Sequence, residues 1–558
     1  MRWHKRDKAE SVKDVVLRNT GLSETEFLHP KQNPYIENLE QAVACIKDAM
    51  AQNLRISIMG DYDADGITSA SILYRMLHDE AHYRNISMRF PKRFSEGYGL
   101  SMKVIDEIKD GLLITVDNGI TAVEEIAKAK AKGIKVVVID HHLPDPEKGL
   151  PAADAVVDPN ALCESEFKGY CGAGLAYKVA EKSGLCSEKL LKKLLALAAI
   201  GTIADVMSLT GDNRNIVIRG LQAINDGNVP KGLDALLEQL GLYDINETDI
   251  GFKIGPILNA SGRLYDNGAK YPFLLLGTDN YNPKLPEKLI EVNEKRKELV
   301  KSGMEAADRI VAEQCLYGNF PLVIYGEKSF HEGVVGIIAG KLAEKFHTPV
   351  IVLGDSDDEG KLKGSGRSYG DFNLKVLLDN VSDLMIAYGG HPGAAGLSVE
   401  KGKLAALSEA LQQEAQKMGG VSEQTEMFYD LEINATETAK VIEELNKYAP
   451  YGEGNPKVVF KIKDYRLTPR NGRFFQTMGD GSVLKLFGDN NSAIGFDLVM
   501  QYEDIGQPTK MDLYGNISIN KFNHRDEIQI EMCDFERAAE GTGTSLADML
   551  SQRMKAFG

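Results

Sequence analysis

Arg55-Ile56-Ser57-Ile58-Met59-Gly60-Asp61-Tyr62-Asp63-Ala64-Asp65-Gly66 is a short apolar run that ends in a polar loop, and Ile67 to Glu80 then takes up helical spacing. A strand, a loop and a helix follow from that order. The same grammar returns twice downstream. Gly111-Leu-Leu-Ile-Thr-Val-Asp117 precedes a helical pattern over Thr121 to Lys132, and Lys135-Val-Val-Val-Ile-Asp140 follows it. Uninterrupted apolar strands alternating with helices predict a parallel sheet covered on both faces, with function gathered in loops at the strand C-termini. Each of the three strands leads into aspartate.

Upstream, Leu39, Val43, Ile46 and Met50 recur at helical spacing, so residues 1–50 read as an N-terminal helical segment ahead of an α/β domain over 51–280. Beyond Leu175 the pattern is mainly helical to about Leu276, and 281–318 holds a long charged helix that connects two lobes. A smaller α/β domain over 319–420 starts at Pro321-Leu-Val-Ile-Tyr325 and carries the glycine-rich loops Gly364-Ser-Gly-Arg-Ser368 and Gly389-Gly-His-Pro-Gly-Ala-Ala-Gly396. Over 421–537 short strands and turns predict a small β-barrel or sandwich, and 538–558 reads as a C-terminal helix or tail.

The chain has 558 residues, of which 43% are hydrophobic and 26% charged, values of a folded globular protein with several cores. With 65 Lys and Arg against 81 Asp and Glu, the balance of −16 excludes a protein that coats nucleic acid by bulk charge. A polyanion would have to meet a local basic groove. The N-terminus MRWHKRDKAE lacks the apolar core of a signal peptide, and no apolar run approaches a membrane span, so a cytoplasmic location is expected. Six scattered cysteines without a C-x-x-C pair fit reduced thiols rather than a disulfide framework or a zinc knuckle.

The loop Asp61 to Gly66 sets three carboxylates within five residues. Like charges so close raise one another's pKa unless a cation neutralises them, and oxygen ligands suit Mg or Mn. The D-x-D-x-D-G opening also matches a calcium EF-hand loop, but its twelfth position is Ile72 rather than glutamate and a strand precedes it, which excludes that reading. Asp117-Asn118-Gly119, Asp140-His141-His142 and Asp205 in Gly201-Thr-Ile-Ala-Asp205 add oxygen and nitrogen donors. Several carboxylates with an imidazole can hold two divalent ions that stabilise the attacking and leaving oxygens of a phosphodiester.

The ordered set DYDADG, DNG, DHH and GTIAD resembles the DHH phosphoesterase superfamily, and the lobe with GSGRS and GGHPGAAG resembles its DHHA1 domain. PKRFSEGYGLS (91–101), GPILNASGR (255–263), YGEGNP (451–456) and the β-rich C-terminus are similar to the single-strand-specific exonuclease branch of that superfamily. The resemblance implies a parallel-sheet DHH domain, a connecting helix, a DHHA1 domain and an OB-fold-like barrel. It implies 5′-to-3′ hydrolysis of single-stranded DNA to mononucleotides in recombination and repair, with two Mn2+ or Mg2+ ions, and partnership with single-stranded-DNA-binding protein and a helicase.

Transferred by motif, the resemblance makes Asp63, Asp65, Asp117, His141 and Asp205 metal ligands. Asp61 is placed as a direct ligand or as support for one, Asp140 as the buttress of an imidazole, and His142 as a contact to the scissile phosphate or leaving oxygen. Arg93, Arg263, Arg367 and Ser368 would form a pocket for the terminal phosphate, since guanidinium forks suit its oxygens. His391 would also bind substrate. In the C-terminal part, Lys461 to Phe475 mixes basic residues with Tyr465, Phe474 and Phe475, as single-strand binding requires. The competing enzyme reading is a DHH phosphodiesterase of short oligoribonucleotides or cyclic dinucleotides, which resembles only the first two lobes. A catalytically silent replication scaffold is disfavoured by the intact acidic and histidine set.

Overall fold

The computed structural model describes residues 2–356, 358–419, 426–522 and 525–538, so the expected tail over 538–558 lies, apart from its first residue, outside the described residues. The chain divides into two units, one of residues 35–205 and 219–423, the other of residues 1–34, 206–218 and 424–558.

The first unit is built on a five-stranded parallel sheet in the spatial order Ile86–Arg89, Ile56–Met59, Leu112–Val116, Lys135–Ile139, Ala155–Val157. Four of these strands are buried almost throughout, as their continuous apolar runs require, while the edge strand Ile86–Arg89 is half-buried. From Ile56–Met59 the chain steps to one side and then returns to Leu112–Val116 on the other. Their C-terminal ends therefore flank a topological switch point, where open α/β sheets place their ligands. Ile86–Arg89 and Ala155–Val157 are strands that the sequence reading did not identify, because neither is an apolar run of full strand length.

Helices Ala64–Arg75, Gly172–Ser183 and Glu188–Ala204 pack together on this sheet. The charged Leu285–Glu313 helix leads to the second sheet, ordered Ala387–His391, Ala394–Glu400, Lys361–Arg367, Val350–Asp355, Leu322–Tyr325, in which only the last pair is parallel. That helix is structural as well as connecting. Its Val292, Val300, Ala307 and Val311 join Ala260 and Leu264 of the Gly255–Leu264 helix and Val335 and Ile338 of the Val335–Phe346 helix in one core. No described helix is long and apolar enough to cross a membrane.

The second unit has a seven-stranded sheet from Leu431–Asn434 to Arg525–Arg537. The stretch read as one N-terminal helical segment over 1–50 is divided in the structure. Leu39–Ala51 packs in the first unit, whereas Arg2–Lys5 is a strand paired in parallel with Glu426–Tyr429 in the second. Trp3 fixes that pairing by stacking on Tyr514 at 4.5 Å and donating from Nε1 to Asp534 at 2.7 Å. A charged four-residue strand with no apolar alternation carries no sequence signal, which is why it was missed.

Trp3 is the only tryptophan in the chain, so its fluorescence reports on the second unit alone. Trp3→Ala, which deletes the stack and the hydrogen bond, is expected to cost that unit about 1–3 kcal/mol. A urea melt followed by circular dichroism checks this, and an unshifted midpoint would refute the anchoring role.

Candidate active site

Asp61, Asp63 and Asp65 lie in the loop and first helical turn after Ile56–Met59, Asp117 follows Leu112–Val116, and Asp140, His141 and His142 follow Lys135–Ile139. Asp205 caps the C-terminus of Glu188–Ala204. The fold brings all of them together. Ligand atoms of Asp61, Asp63 and Asp117 lie within 4.8 Å of one another, as do those of Asp65, His141 and Asp205, and those of Asp117, His141 and His142.

Local backbone devices aim these groups. Asp63 is the N-cap of the Ala64–Arg75 helix, its Oδ1 accepting from Gly66 N at 3.0 Å. Asp65 accepts the first two amides of the Gly172–Ser183 helix, Gly172 N at 2.7 Å and Ala173 N at 2.9 Å, where the helix dipole favours a negative charge. Asp117 adopts φ of 60°, a left-handed conformation tolerated best by Asn, Asp and Gly. Gly119, at φ of 114°, has no room for a Cβ, which would lie 2.3 Å from Thr115 Oγ1. A Cβ on Gly201 would likewise lie 2.7 Å from Asp65 Oδ1, so the glycine of the GTIAD segment lets its helix approach the carboxylates.

Electrostatics follow from burial and crowding. Desolvation, then the neighbouring charges of Asp65, Asp63 and Asp61, holds Asp117 well above the usual carboxylate range. Asp61 is raised by burial and then by Asp63, and Asp63 by burial and then by Asp65. Asp205 is pushed up to about 8, again by burial first and Asp65 next. Asp61 is 1% exposed and its Oδ1 has no hydrogen-bond partner. A buried, unpartnered carboxylate oxygen amid raised carboxyls is what a divalent cation would satisfy, so the donor set fits Mn2+ or Mg2+.

The imidazoles play different parts. His141 Nε2 lies 3.1 Å from Asp117 Oδ1 and 3.6 Å from Asp205 Oδ2, and burial lowers its pKa, so it is a neutral donor suited to a metal. Asp140 supports His142 rather than His141, with Nδ1 2.8 Å from Oδ1. Burial opposes charge on His142, but the Asp140 hydrogen bond and charge override it and raise the pKa to about 9. Its Nε2 lies 3.2 Å from the hydroxyl of Tyr98, which donates to Asp117 O.

Basic side chains gather near the acids, since Asp63 and Arg93 both act on Arg263. Arg263 ends the Gly255–Leu264 helix, and burial, then the charges of Arg93, Arg296 and Arg367, lowers its pKa to about 10. Arg93 lies over the Tyr62 ring at 4.7 Å, and Arg367 Nη1 contacts Ser365 Oγ at 2.7 Å. Ser368 does not join this group, since its hydroxyl bonds Phe372 O and its amide bonds Gly393 O. Ser365 is the serine beside Arg367, because alternation along Lys361–Arg367 puts Ser365 and Arg367 on one face of the strand, and its hydroxyl donates to Ala395 O at 3.2 Å. His391 is exposed, in register with Ala394, itself paired with Arg367, and its Nδ1 accepts from Gly393 N at 3.2 Å.

Sequence reading also missed Tyr98, Asn259 and Asp158. Asn259 Oδ1 accepts from Ala64 N at 2.7 Å, and Asp158 follows the unrecognised strand Ala155–Val157. Asp158 Oδ1 holds Asn160 N, and Asn160 Nδ2 holds His141 O. Tyr98 and Asn259 stand within quoted motifs, but a tyrosine or asparagine alone carries no metal signal.

In the second unit the expected basic and aromatic patch is largely dismantled. Tyr465 is 1% exposed in the core, Phe474 and Phe475 pack against that core, and Lys461, Lys463 and Arg470 pair with Glu536, Glu432 and Glu527. A β-bulge between Ile462 and Tyr465, with Asp464 at φ of 58°, breaks the alternation and turns Tyr465 inward.

Three family models match the chain: the DHH family N-terminal domain over 55–202, the DHHA1 domain over 316–417 and the RecJ OB domain over 429–534. The single-stranded-DNA-specific exonuclease RecJ of Salmonella typhimurium is 36% identical over 461 residues, covering 76% of this chain and 78% of that protein. The RecJ of Bacillus subtilis is 33% identical over 537 residues, covering 92% of this chain but 66% of that longer protein. Crystal structures of RecJ from Thermus thermophilus superpose on the chain, in complex with Mn2+ at a TM-score of 0.77 (26% identity, 94% of this chain and 76% of that one) and with Mg2+ at 0.71 (25% identity, 95% and 75%).

In chelator, stability is expected to fall as pH rises from about 4 toward 8. The raised carboxyls bind protons more tightly folded, about 8 for Asp205, than unfolded, where the value is 3.8. Bound cations replace those protons, so the rise in Tm on adding Mn2+ should be larger at pH 8 than at pH 5. Thermal melts at both pH values, with EDTA and with Mn2+, decide it, and an equal rise would contradict the carboxylate site.

Proposed function

The chain belongs to the RecJ family of DHH phosphoesterases, and from that premise we propose that it is a metal-dependent exonuclease that hydrolyses single-stranded DNA from the 5′ end to mononucleotides. The observation that carries this reading is two separate ligand triads, Asp61/Asp63/Asp117 and Asp65/His141/Asp205, beside an arginine pocket. Mn2+ or Mg2+ held by these triads would neutralise charge on the attacking and leaving oxygens of the phosphodiester.

The chain's own residues do the rest. Asp117 stands in contact with both triads, through Asp61 and Asp63 on one side and His141 on the other. Asp65 holds its place through two amides and so presents fixed oxygens. His142, its Nδ1 held by Asp140, whose hydrogen bond and charge favour the protonated imidazole, would offer Nε2–H to a phosphate or leaving oxygen. Arg93, Arg263 and Arg367, with Ser365 beside them, receive the 5′-phosphate. His391 stands two strands from Arg367, where the adjoining nucleotide would pass. A role in recombination and repair, a cytoplasmic location, and a single-stranded-DNA-binding protein and helicase as partners belong to the same reading. The competing phosphodiesterase of short oligoribonucleotides or cyclic dinucleotides leaves the matched OB domain without a task.

Long single-stranded DNA labelled at either end should release labelled mononucleotide first from the 5′ end, with Mn2+ and not with chelator. Activity confined to dinucleotides would instead support the competing reading. Asp63→Ala and His141→Ala are expected to lose hydrolysis while keeping the fold and strand binding, and Asp140→Asn to lose about 10–100-fold by unfixing His142. Rates beside a circular dichroism spectrum check these variants, and an unfolded Asp63→Ala would count against a site that holds cations rather than core.

A further inference from the structure

The buried positions of the Leu285–Glu313 helix run Leu285 with Pro286, Leu289, Val292 with Asn293, Val300, Gly303, Ala306 with Ala307, and Val311, steps of three and four with a single gap. Arg296 occupies the gap, four residues from Val292 and four from Val300. Both valines pack in the core that holds Ala260, Leu264, Val335 and Ile338. An arginine therefore stands at a core-facing step of the helix that packs against Gly255–Leu264, the helix that carries Arg263. Gly336, in the same neighbouring helix as Val335 and Ile338, leaves room for Arg367, whose Nη2 lies 2.8 Å from where its Cβ would be. Arg296 Nε donates to Asn293 Oδ1 at 2.9 Å, and Asn293 is 4% exposed, so the guanidinium is held rather than floating.

Burying a guanidinium is costly, and among the described residues Arg296, Arg263 and Arg367 form no close ion pair to offset it, although the more distant charges of Asp63 and Glu294 act on Arg263 and Arg296. Burial lowers the pKa of each, and the charge of Arg296 lowers that of Arg263 further. Half-buried Arg296 thus adds a fourth positive charge to those of Arg93, Arg263 and Arg367, a set that an anion from outside the chain would complete. We propose that Arg296 is a specificity-determining residue of the strand-end pocket, where it contacts the 5′-terminal phosphomonoester. This rests on the reading that the arginine pocket receives that phosphate. A monoester carries about −1.5 to −2 at neutral pH, whereas an internal diester carries a single charge, so the added guanidinium favours the end of a strand over its interior.

The test uses one single-stranded oligonucleotide carrying either a 5′-phosphate or a 5′-hydroxyl, and compares kcat/KM for the full chain and its variants in Mn2+. Arg296→Ala should lower the ratio of the phosphate to the hydroxyl substrate about 10-fold, chiefly through KM. It should also reduce the salt slope of binding the phosphorylated strand by about 0.7. Arg296→Lys, which keeps charge and loses the fork, should fall between. Asn293→Asp pairs Arg296 internally without removing it and should lower the ratio as well, covering the case in which Arg296→Ala does not fold. If Arg263→Ala collapses the ratio while Arg296→Ala and Asn293→Asp leave it intact, the inference is overturned and the pocket stands. An equal loss on both substrates assigns Arg296 a structural role only and also overturns it. No preference for 5′-phosphate in the unaltered protein would remove the pocket reading itself.

Discussion

Carboxylate oxygens crowded at the C-terminal ends of adjacent parallel strands are the constraint around which the first unit is arranged. Two unit charges 4 Å apart repel by about 4 kcal/mol at an effective dielectric of 20, and several such pairs coexist here. Part of that cost is absorbed by amides. Asp65 takes two from the start of a helix, Asp63 takes one, and Asp140 takes those of Ile120 and His141. What is left is concentrated on Asp61 and Asp117, buried and raised, and it is this remainder that calls for cations.

The backbone around the cluster bends to the same requirement. A left-handed Asp117 swings its carboxylate toward the loop of the neighbouring strand, and Asn118 holds the turn from beneath, its Nδ2 bonding Met59 O and Val116 O. Asn118 thus ties the two strands of the switch point at the place where their loops must stay in register. Helix ends close the site from the other side, one supplying amides and the other Asp205. Strain at single residues is the kind of expense that functional sites carry.

Much of this was legible in the sequence because it is local. Asp61, Asp63, Asp65, Asp117, Asp140, His141 and His142 follow directly on apolar runs, so strand periodicity alone sends them to one edge of the sheet. Asp205 was legible only through its motif, since nothing in a helix C-terminus announces a ligand. What stayed hidden depends on geometry that periodicity does not encode. A bulge reverses the facing of Tyr465, and strand alternation puts Ser365 rather than Ser368 beside Arg367. The strand Arg2–Lys5 pairs with residues more than four hundred positions away. Arg296 was hidden for the opposite reason: in a helix this rich in charge, one arginine at a core-facing step looks like its solvated neighbours until the packing partners are known.

A net charge of −16 would repel a polyanion from most of the surface, and ion pairing deepens the contrast between surface and pocket. Exposed lysines such as Lys345, Lys363 and Lys401 lie against Asp308, Glu332 and Asp355, which quiets their long-range field. Lys461 and Lys463 in the second unit are quieted in the same way. The arginines beside the acid cluster are not so paired, and their partial burial strengthens their field by keeping water away. In a protein acidic overall, guanidinium groups that form no close ion pair are where phosphate would be drawn. That distribution would suit a substrate recognised by its terminus, because the doubly charged end meets guanidinium groups of opposite sign. Acidity overall and selectivity for an end are thus two aspects of one charge pattern.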